Sequence, residues 1–177
     1  MRLFFGIELD ERARIAAVKC MDSLRRDIDA RFVDNDNLHM TVCFVGEVDV
    51  TMLKRVEEIG EKAAILSTGR KLTLSKLGFF GTPSNAILYI GVDGAHGFAS
   101  LSDSLKKNLT LAGLPCDPKR FSPHITIARR AFVTPRIINE MSPESITWNA
   151  GHLTLFDSAR ISGRLVYTPV CRWPLNR

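Results

Sequence analysis

The chain has 177 residues, 45% of them hydrophobic and 24% charged, with a net charge of +5 and an isoelectric point near 9.2. There is ample apolar surface for a core, which excludes a disordered or low-complexity chain, and the length suits one domain or two small lobes sharing one core. No run approaches the roughly 20 apolar residues needed to span a bilayer, and the modest positive charge suits an anionic partner such as nucleic acid without requiring one.

In chain order, residues 3–9 read as a strand that turns acidic at Glu8 and Asp10, too soon for a secretory signal, so a cytoplasmic protein is expected. Asp10 is placed to cap a helix carrying Ile15, Val18, Met21, Leu24 and Ile28 at helical spacing. A polar turn, Asp34 to Asn37, leads into a second strand over 38–45 that Gly46 closes. Asp49 or Thr51 caps a second helix with Leu53, Val56, Ile59, Ala63 and Leu66 on its apolar side, stopped by Gly69. Residues 71–77 predict a strand, 78–83 a break and 86–92 another strand. Phe98, Leu101, Leu105, Leu109 and Ala112 mark a third helix, and Pro115 and Pro118 keep the next loop non-helical. Residues 124–128 form a strand behind Pro123, 132–141 follow neither period, and 147–156 and 164–171 predict two final strands.

This order, β-α-β-α-β-β-α-β-β-β, predicts an α+β fold rather than a doubly wound parallel sheet. Neither G-x-x-x-x-G-K-[ST] nor G-x-G-x-x-G occurs, which disfavours a P-loop or Rossmann nucleotide site. Cys20, Cys43, Cys116 and Cys171 form no C-x-x-C pair. They read as free thiols, not as a disulfide framework or a zinc cluster.

Two stretches share one plan. A strand, a helix and a polar or Pro-rich turn lead to His39-Met40-Thr41-Val42, and the same sequence of elements leads to His124-Ile125-Thr126-Ile127. One H-x-T-x match is weak, because a single strand histidine is most often structural. Two matches ending equivalent strand–helix–strand units predict an internal duplication and a single bilobal unit over 1–177. Strand alternation puts His and Thr on one face and the apolar residues on the other, so a pseudo-twofold pairing of lobes would place two imidazoles and two hydroxyls across one central groove.

That arrangement suits phosphodiester cleavage. One imidazole can protonate the leaving oxygen while the other deprotonates the attacking group, and hydroxyls can bond the non-bridging oxygens. It calls for no metal or other cofactor. Of the remaining polar residues, Arg129-Arg130 directly follow the second motif and are candidate phosphate ligands, with strand parity placing Arg130 on the His124 face. Phe121 is a candidate base-stacking residue at the groove mouth, whereas Phe4, Phe5, Phe44 and Phe156 read as core. His96 reads as a loop or helix-start residue, His152 as structural and Lys106-Lys107 as a solvated helix face.

The two motifs resemble the signature pair of the 2H phosphoesterases, and the flanking segments resemble its RNA 2′,3′-cyclic phosphodiesterase branch, historically called 2′-5′ RNA ligases. These segments are Arg2-Leu3-Phe4-Phe5-Gly6-Ile7, Asp36-Asn37-Leu38-His39, Ser122-Pro123-His124 and Gly163-Arg164-Leu165-Val166-Tyr167-Thr168-Pro169 with Arg172-Trp173. The resemblance implies a bilobal pair of antiparallel-rich sheets with helices outside, and metal-independent hydrolysis of RNA 2′,3′-cyclic phosphate ends, tRNA fragments among them, by a monomer. It implies His39 as proton donor, His124 as proton acceptor, Thr41 and Thr126 on the phosphate oxygens, and Arg129 as the arginine after the second motif, against the parity reading of Arg130. Reversible 2′-5′ ligation is a secondary expectation. Ser122 departs from the His-Pro-His pattern of close relatives. The other readings are a non-catalytic RNA-binding module, a 2H enzyme for small cyclic nucleotides or 2′-5′ oligoadenylates, and, least favoured for want of acidic ligands, a histidine–metal hydrolase.

Overall fold

The structure, a computed structural model, describes residues 1–176. Two antiparallel sheets face each other. The first has four strands in the order β3-β1-β8-β9, with β1 Arg2–Glu8, β3 His39–Glu47, β8 His152–Ile161 and β9 Arg164–Pro174. The second has five in the order β2-β6-β5-β4-β7, with β2 Arg31–Phe32, β4 Arg70–Thr82, β5 Asn85–Asp93, β6 His124–Ala131 and β7 Thr147–Ala150. The helices are α1 Glu11–Asp27, α2 Leu53–Ile65, α3 Ala99–Leu111 and the short α4 Pro135–Glu140. The expected α+β class with two antiparallel sheets is the one observed.

Local chemistry explains where elements begin. Asp10 accepts the Ala13 N–H at 2.8 Å and starts α1, and Asp49 accepts the Thr51 N–H at 2.8 Å to start the turn that precedes α2. The buried side of α1 is Ala13, Ala16, Ala17, Cys20, Met21 and Leu24, whereas Ile15 is exposed. The apolar stripe is rotated from the expected one because small residues let the helix lie close. α2 ends at Ile65, before Gly69, and leaves Leu66 outside.

Three further differences matter. The 78–83 segment is not a break: β4 continues to Thr82, pairing with β5 as far as Thr82–Asn85. Residues 147–156 are two strands, not one, and they serve different sheets. β7 pairs with β4 and β8 with β1, the chain switching at Gly151. The unassigned 132–141 stretch holds α4, opened by Thr134 and by Pro135 in its first turn.

The helices cross over. α1 leaves β1 of the first sheet but packs on β7 of the second. α3 leaves the second sheet but packs on β3 of the first, where Ser102 Oγ donates to the Val42 carbonyl at 2.8 Å. Trp148 Nε1 on β7 donates to the Glu8 carbonyl of β1 at 3.2 Å, and one continuous apolar core unites both halves. β3 and β6, the two motif strands, meet across the inter-sheet cleft. No described helix is long and apolar enough to cross a membrane.

Candidate active site

Both motif strands carry the same irregularity. In β3, Thr41 pairs with Gly6 and Cys43 with Phe5, so Val42 is an extra residue. In β6, Thr126 pairs with Tyr89 and Ala128 with Leu88, so Ile127 is extra. Each bulged residue keeps its carbonyl satisfied elsewhere, Val42 by Ser102 Oγ and Ile127 by the Val33 N–H at 3.0 Å. Two consecutive buried residues follow each H-x-T, and the alternation resets. Phe44 and Arg129 therefore return to the face of the histidines. Arg129, not Arg130, is the guanidinium whose charge lowers the pKa of both imidazoles. The parity reading of Arg130 is corrected by this bulge. Arg130 sits exposed in the left-handed region at φ 53°, where the strand is interrupted again.

The imidazoles are oriented alike. His39 Nδ1–H donates to the Asn37 carbonyl and His124 Nδ1–H to the Ser122 carbonyl, each at 2.7 Å. A carbonyl can only accept, so the neutral rings carry the proton on Nδ1 and present Nε2 as a lone pair. For His39 that lone pair lies 2.9 Å from Thr41 Oγ1, and no group among the described residues bonds Nε2 of His124. Asn37 does more than orient one ring. Its Nδ2 donates to the Leu165 carbonyl at 2.7 Å and its Oδ1 accepts the Tyr167 N–H at 3.0 Å, tying β9 to the motif turn.

The surroundings of the two rings differ. His39 packs against Phe4, Phe156 and Tyr167, with centroids 4.7, 5.9 and 5.1 Å away. Burial, with the charges of His124 and Arg129, pushes its pKa down to about 4 despite the bond to the Asn37 carbonyl. The same causes of burial and Arg129 lower His124. Both rings are therefore biased toward the neutral form in the free protein, and a bound anion would raise both pKa values. A cavity of about 140 Å³ opens beside His39, lined by Glu8, Arg14, Asp36, Asn37 and Tyr167 among others.

Gly6 forms the floor beneath His39. A Cβ there would meet the Met40 carbonyl at 3.1 Å, Phe156 Cε2 at 3.3 Å and His39 Cδ2 at 3.4 Å. Gly6→Ala is expected to displace the imidazole and lower kcat about tenfold with only a small loss of stability. Steady-state kinetics beside a thermal melt check this, and an unchanged kcat would show that the floor has slack.

Thus His39, Thr41, His124, Thr126 and Arg129 share the cleft. Phe121 does not join them; it packs half-buried against the core. The rings that touch His124 are Phe80 and Tyr89, at 4.9 and 5.4 Å. Phe44, read as core, is half-exposed, with Arg2 Cζ 5.1 Å above its ring. The four cysteines are free, and no group of three or more His, Cys, Asp or Glu placed to hold a metal ion occurs among the described residues.

Two strands that oppose His-x-Thr faces across a cleft define a two-histidine phosphoesterase site. The sequence profile of the 2′-5′ RNA ligase superfamily matches residues 10–161, and the chain belongs to that superfamily. It is 28% identical to the RNA 2′,3′-cyclic phosphodiesterase of Escherichia coli, over 99% of this chain and 97% of that protein. It is 30% identical to the protein of the same name from Thermus thermophilus, over 77% and 72%. The crystal structure of E. coli LigT complexed with 3′-AMP superimposes with a TM-score of 0.85 at 28% identity, covering 99% of this chain and 98% of that one. The enzyme class expected from the motifs is thus the one its named relatives carry.

Proposed function

We propose that the protein hydrolyses the 2′,3′-cyclic phosphate at RNA ends to a 2′-phosphomonoester through its two histidines, without a metal ion. The observation that supports this most directly is the matched orientation of the imidazoles, each Nδ1–H fixed by a carbonyl so that Nε2 serves the cleft. In this reading His124 Nε2 takes a proton from water as its oxygen bonds to phosphorus. The P–O3′ bond breaks, and protonated His39 delivers its Nε2 proton to the departing O3′. Thr41 and Thr126 hydroxyls and the Arg129 guanidinium hold the non-bridging oxygens, where negative charge gathers. His39 is neutral in the free site above about pH 4, so the anionic substrate itself favours the proton that the reaction needs. The whole chain acts as one bilobal unit with an internal duplication, a reading supported by the matching bulges and exchanged helices. In the same proposal it acts as a monomer on RNA in the cytoplasm.

The test is an oligonucleotide ending in a 2′,3′-cyclic phosphate, incubated in excess EDTA. Turnover to the 2′-phosphate is expected. Loss of activity on chelation would sink the metal-free mechanism, and binding without turnover would favour an RNA-binding module. Comparing tRNA halves, short oligonucleotides and cyclic mononucleotides then ranks the substrates.

The pH dependence follows from the lowered pKa values. The base must be deprotonated and the acid protonated, and both rings titrate below the usual 6.5 in the free enzyme. The maximum of kcat/KM is therefore expected on the acid side of pH 6.5, with the maximum of kcat displaced upward because bound phosphate raises both groups. A kcat/KM maximum above pH 7 would overturn this.

A further inference from the structure

The two halves of the cleft are built alike but differ in charge. Past its bulge, each motif strand returns one side chain to the histidine face, three residues beyond the threonine. On β6 that residue is the cation Arg129, and on β3 it is Phe44. The neighbouring strand β1 supplies the cation that β3 lacks: Arg2 holds its guanidinium carbon 5.1 Å above the Phe44 ring.

The ladder alone does not dictate this position. Glu47 is the ladder partner of Arg2, and Asp157 accepts the Arg2 backbone N–H at 3.2 Å. Neither forms an ion pair with the guanidinium, and no other carboxylate among the described residues does so. The Phe44 ring attracts the cation through its π-face but offers no lone pair to its five N–H donors. Arg2 is exposed, and its fork of donors suits a phosphate.

Its distance from the reacting centre follows from the register. Gly6 pairs with Thr41, and Phe4 pairs with Phe44. The Arg2 guanidinium, above Phe44, therefore lies one row beyond Thr41, two strand residues or about 6.7 Å. That is close to the stride between successive phosphates of an RNA strand. The electrostatics agree. The charge of Arg129 bears on both imidazoles and on the Tyr167 hydroxyl, whereas that of Arg2 bears on the hydroxyl.

We propose that Arg2 binds the phosphodiester joining the terminal nucleotide to the rest of the strand, and so makes the enzyme favour an RNA end over a cyclic mononucleotide. The inference rests on the cyclic phosphodiesterase reading and adds to it the residue that recognises a continuing strand. A cyclic mononucleotide lacks this second anion and leaves Arg2 unused. A dinucleotide already carries it, so longer strands gain little more at this residue. The contact is made in the ground state and the transition state alike, so it is expressed in KM more than in kcat.

The experiment compares three substrates: the dinucleotide ApU ending in a 2′,3′-cyclic phosphate, the same dinucleotide with a neutral methylphosphonate linkage, and uridine 2′,3′-cyclic phosphate. At low salt the charged dinucleotide is expected to exceed the neutral one about tenfold in kcat/KM, mainly through KM, and to lose much of that advantage as salt rises. Arg2→Met keeps apolar length over Phe44 and removes the charge. It is expected to bring the ratio of the two dinucleotides to about one, with Arg2→Lys retaining part of the preference. An unmutated protein that treats the two linkages alike, or an Arg2→Met variant that keeps the preference, overturns the subsite. So does a variant that loses all three substrates in proportion, as a merely structural residue would. Failure of the unmutated protein to hydrolyse any of the three overturns the phosphodiesterase reading, and the subsite with it.

Discussion

His39→Ala and His124→Ala are each expected to lower kcat/KM for a 2′,3′-cyclic phosphate end by about 10²- to 10⁴-fold, the usual contribution of a positioned acid or base. The double variant should lose little more than the worse single one, because the two groups act in one proton-transfer sequence. Loss of activity alone does not separate donor from acceptor, and neither does the pH profile, which has the same form for either assignment. The leaving group does. A substrate with sulfur in place of the bridging O3′ expels a thiolate whose conjugate acid has a pKa of about 8.5, so it departs without a proton donor. With that substrate the deficit of His39→Ala should shrink by about tenfold or more, while that of His124→Ala persists. The opposite pattern would exchange the roles. His39 is enclosed by Phe4, Phe156 and Tyr167, so its alanine variant needs a melt to show that the fold survives the cavity.

The motif strands were the most legible part of the fold, because period-two alternation and an apolar partner face are written into His39–Val42 and His124–Ile127 themselves. The failures share a physical cause: they depend on tertiary pairing. The 78–83 segment looks like a break because it holds two glycines and a proline, yet Gly78 makes room for Tyr89 and Gly81 takes φ 88° within a continuous hairpin. The switch at Gly151 is invisible locally, since Thr147–Ala150 and the residues 152–155 that open β8 both alternate polar and apolar side chains, yet they join different sheets.

The same cause hid half of the site. Strand parity holds only along an unbroken ladder, and nothing in the residues of β6 announces that Ile127 lacks a partner. Its matching feature in β3 was also silent, although Ser102, which satisfies the Val42 carbonyl, comes from a helix 60 residues away. Phe80, Tyr89 and Tyr167 reach the imidazoles from strands that no motif marks. Tyr167 alone had a signal, lying in the tail that resembles the family.

Arg129 is where these corrections have the greatest consequence. Beside the larger effect of burial, its guanidinium helps to lower both imidazole pKa values and offsets part of the rise that burial imposes on Tyr167, so its charge reaches both sides of the cleft. Arg129→Met keeps the length of the side chain and removes the charge, and two separable effects are expected. The first is a fall in kcat/KM of about 10²-fold, the cost of removing one preorganised donor from a developing phosphate charge. The second is independent of substrate. Burial, the larger cause of the lowered values, remains, but without the nearby cation the protonated imidazoles are less disfavoured, so the pKa values of His39 and His124 rise part of the way and the kcat/KM maximum moves slightly to higher pH. Titration of the imidazole C–H resonances in the free protein checks this directly. Arg130→Met, on the exposed left-handed residue, should leave those resonances where they are. A variant that loses activity with unmoved histidine pKa values would place Arg129 outside the cleft electrostatics, and equal losses in both variants would return the assignment to the basic pair as a whole.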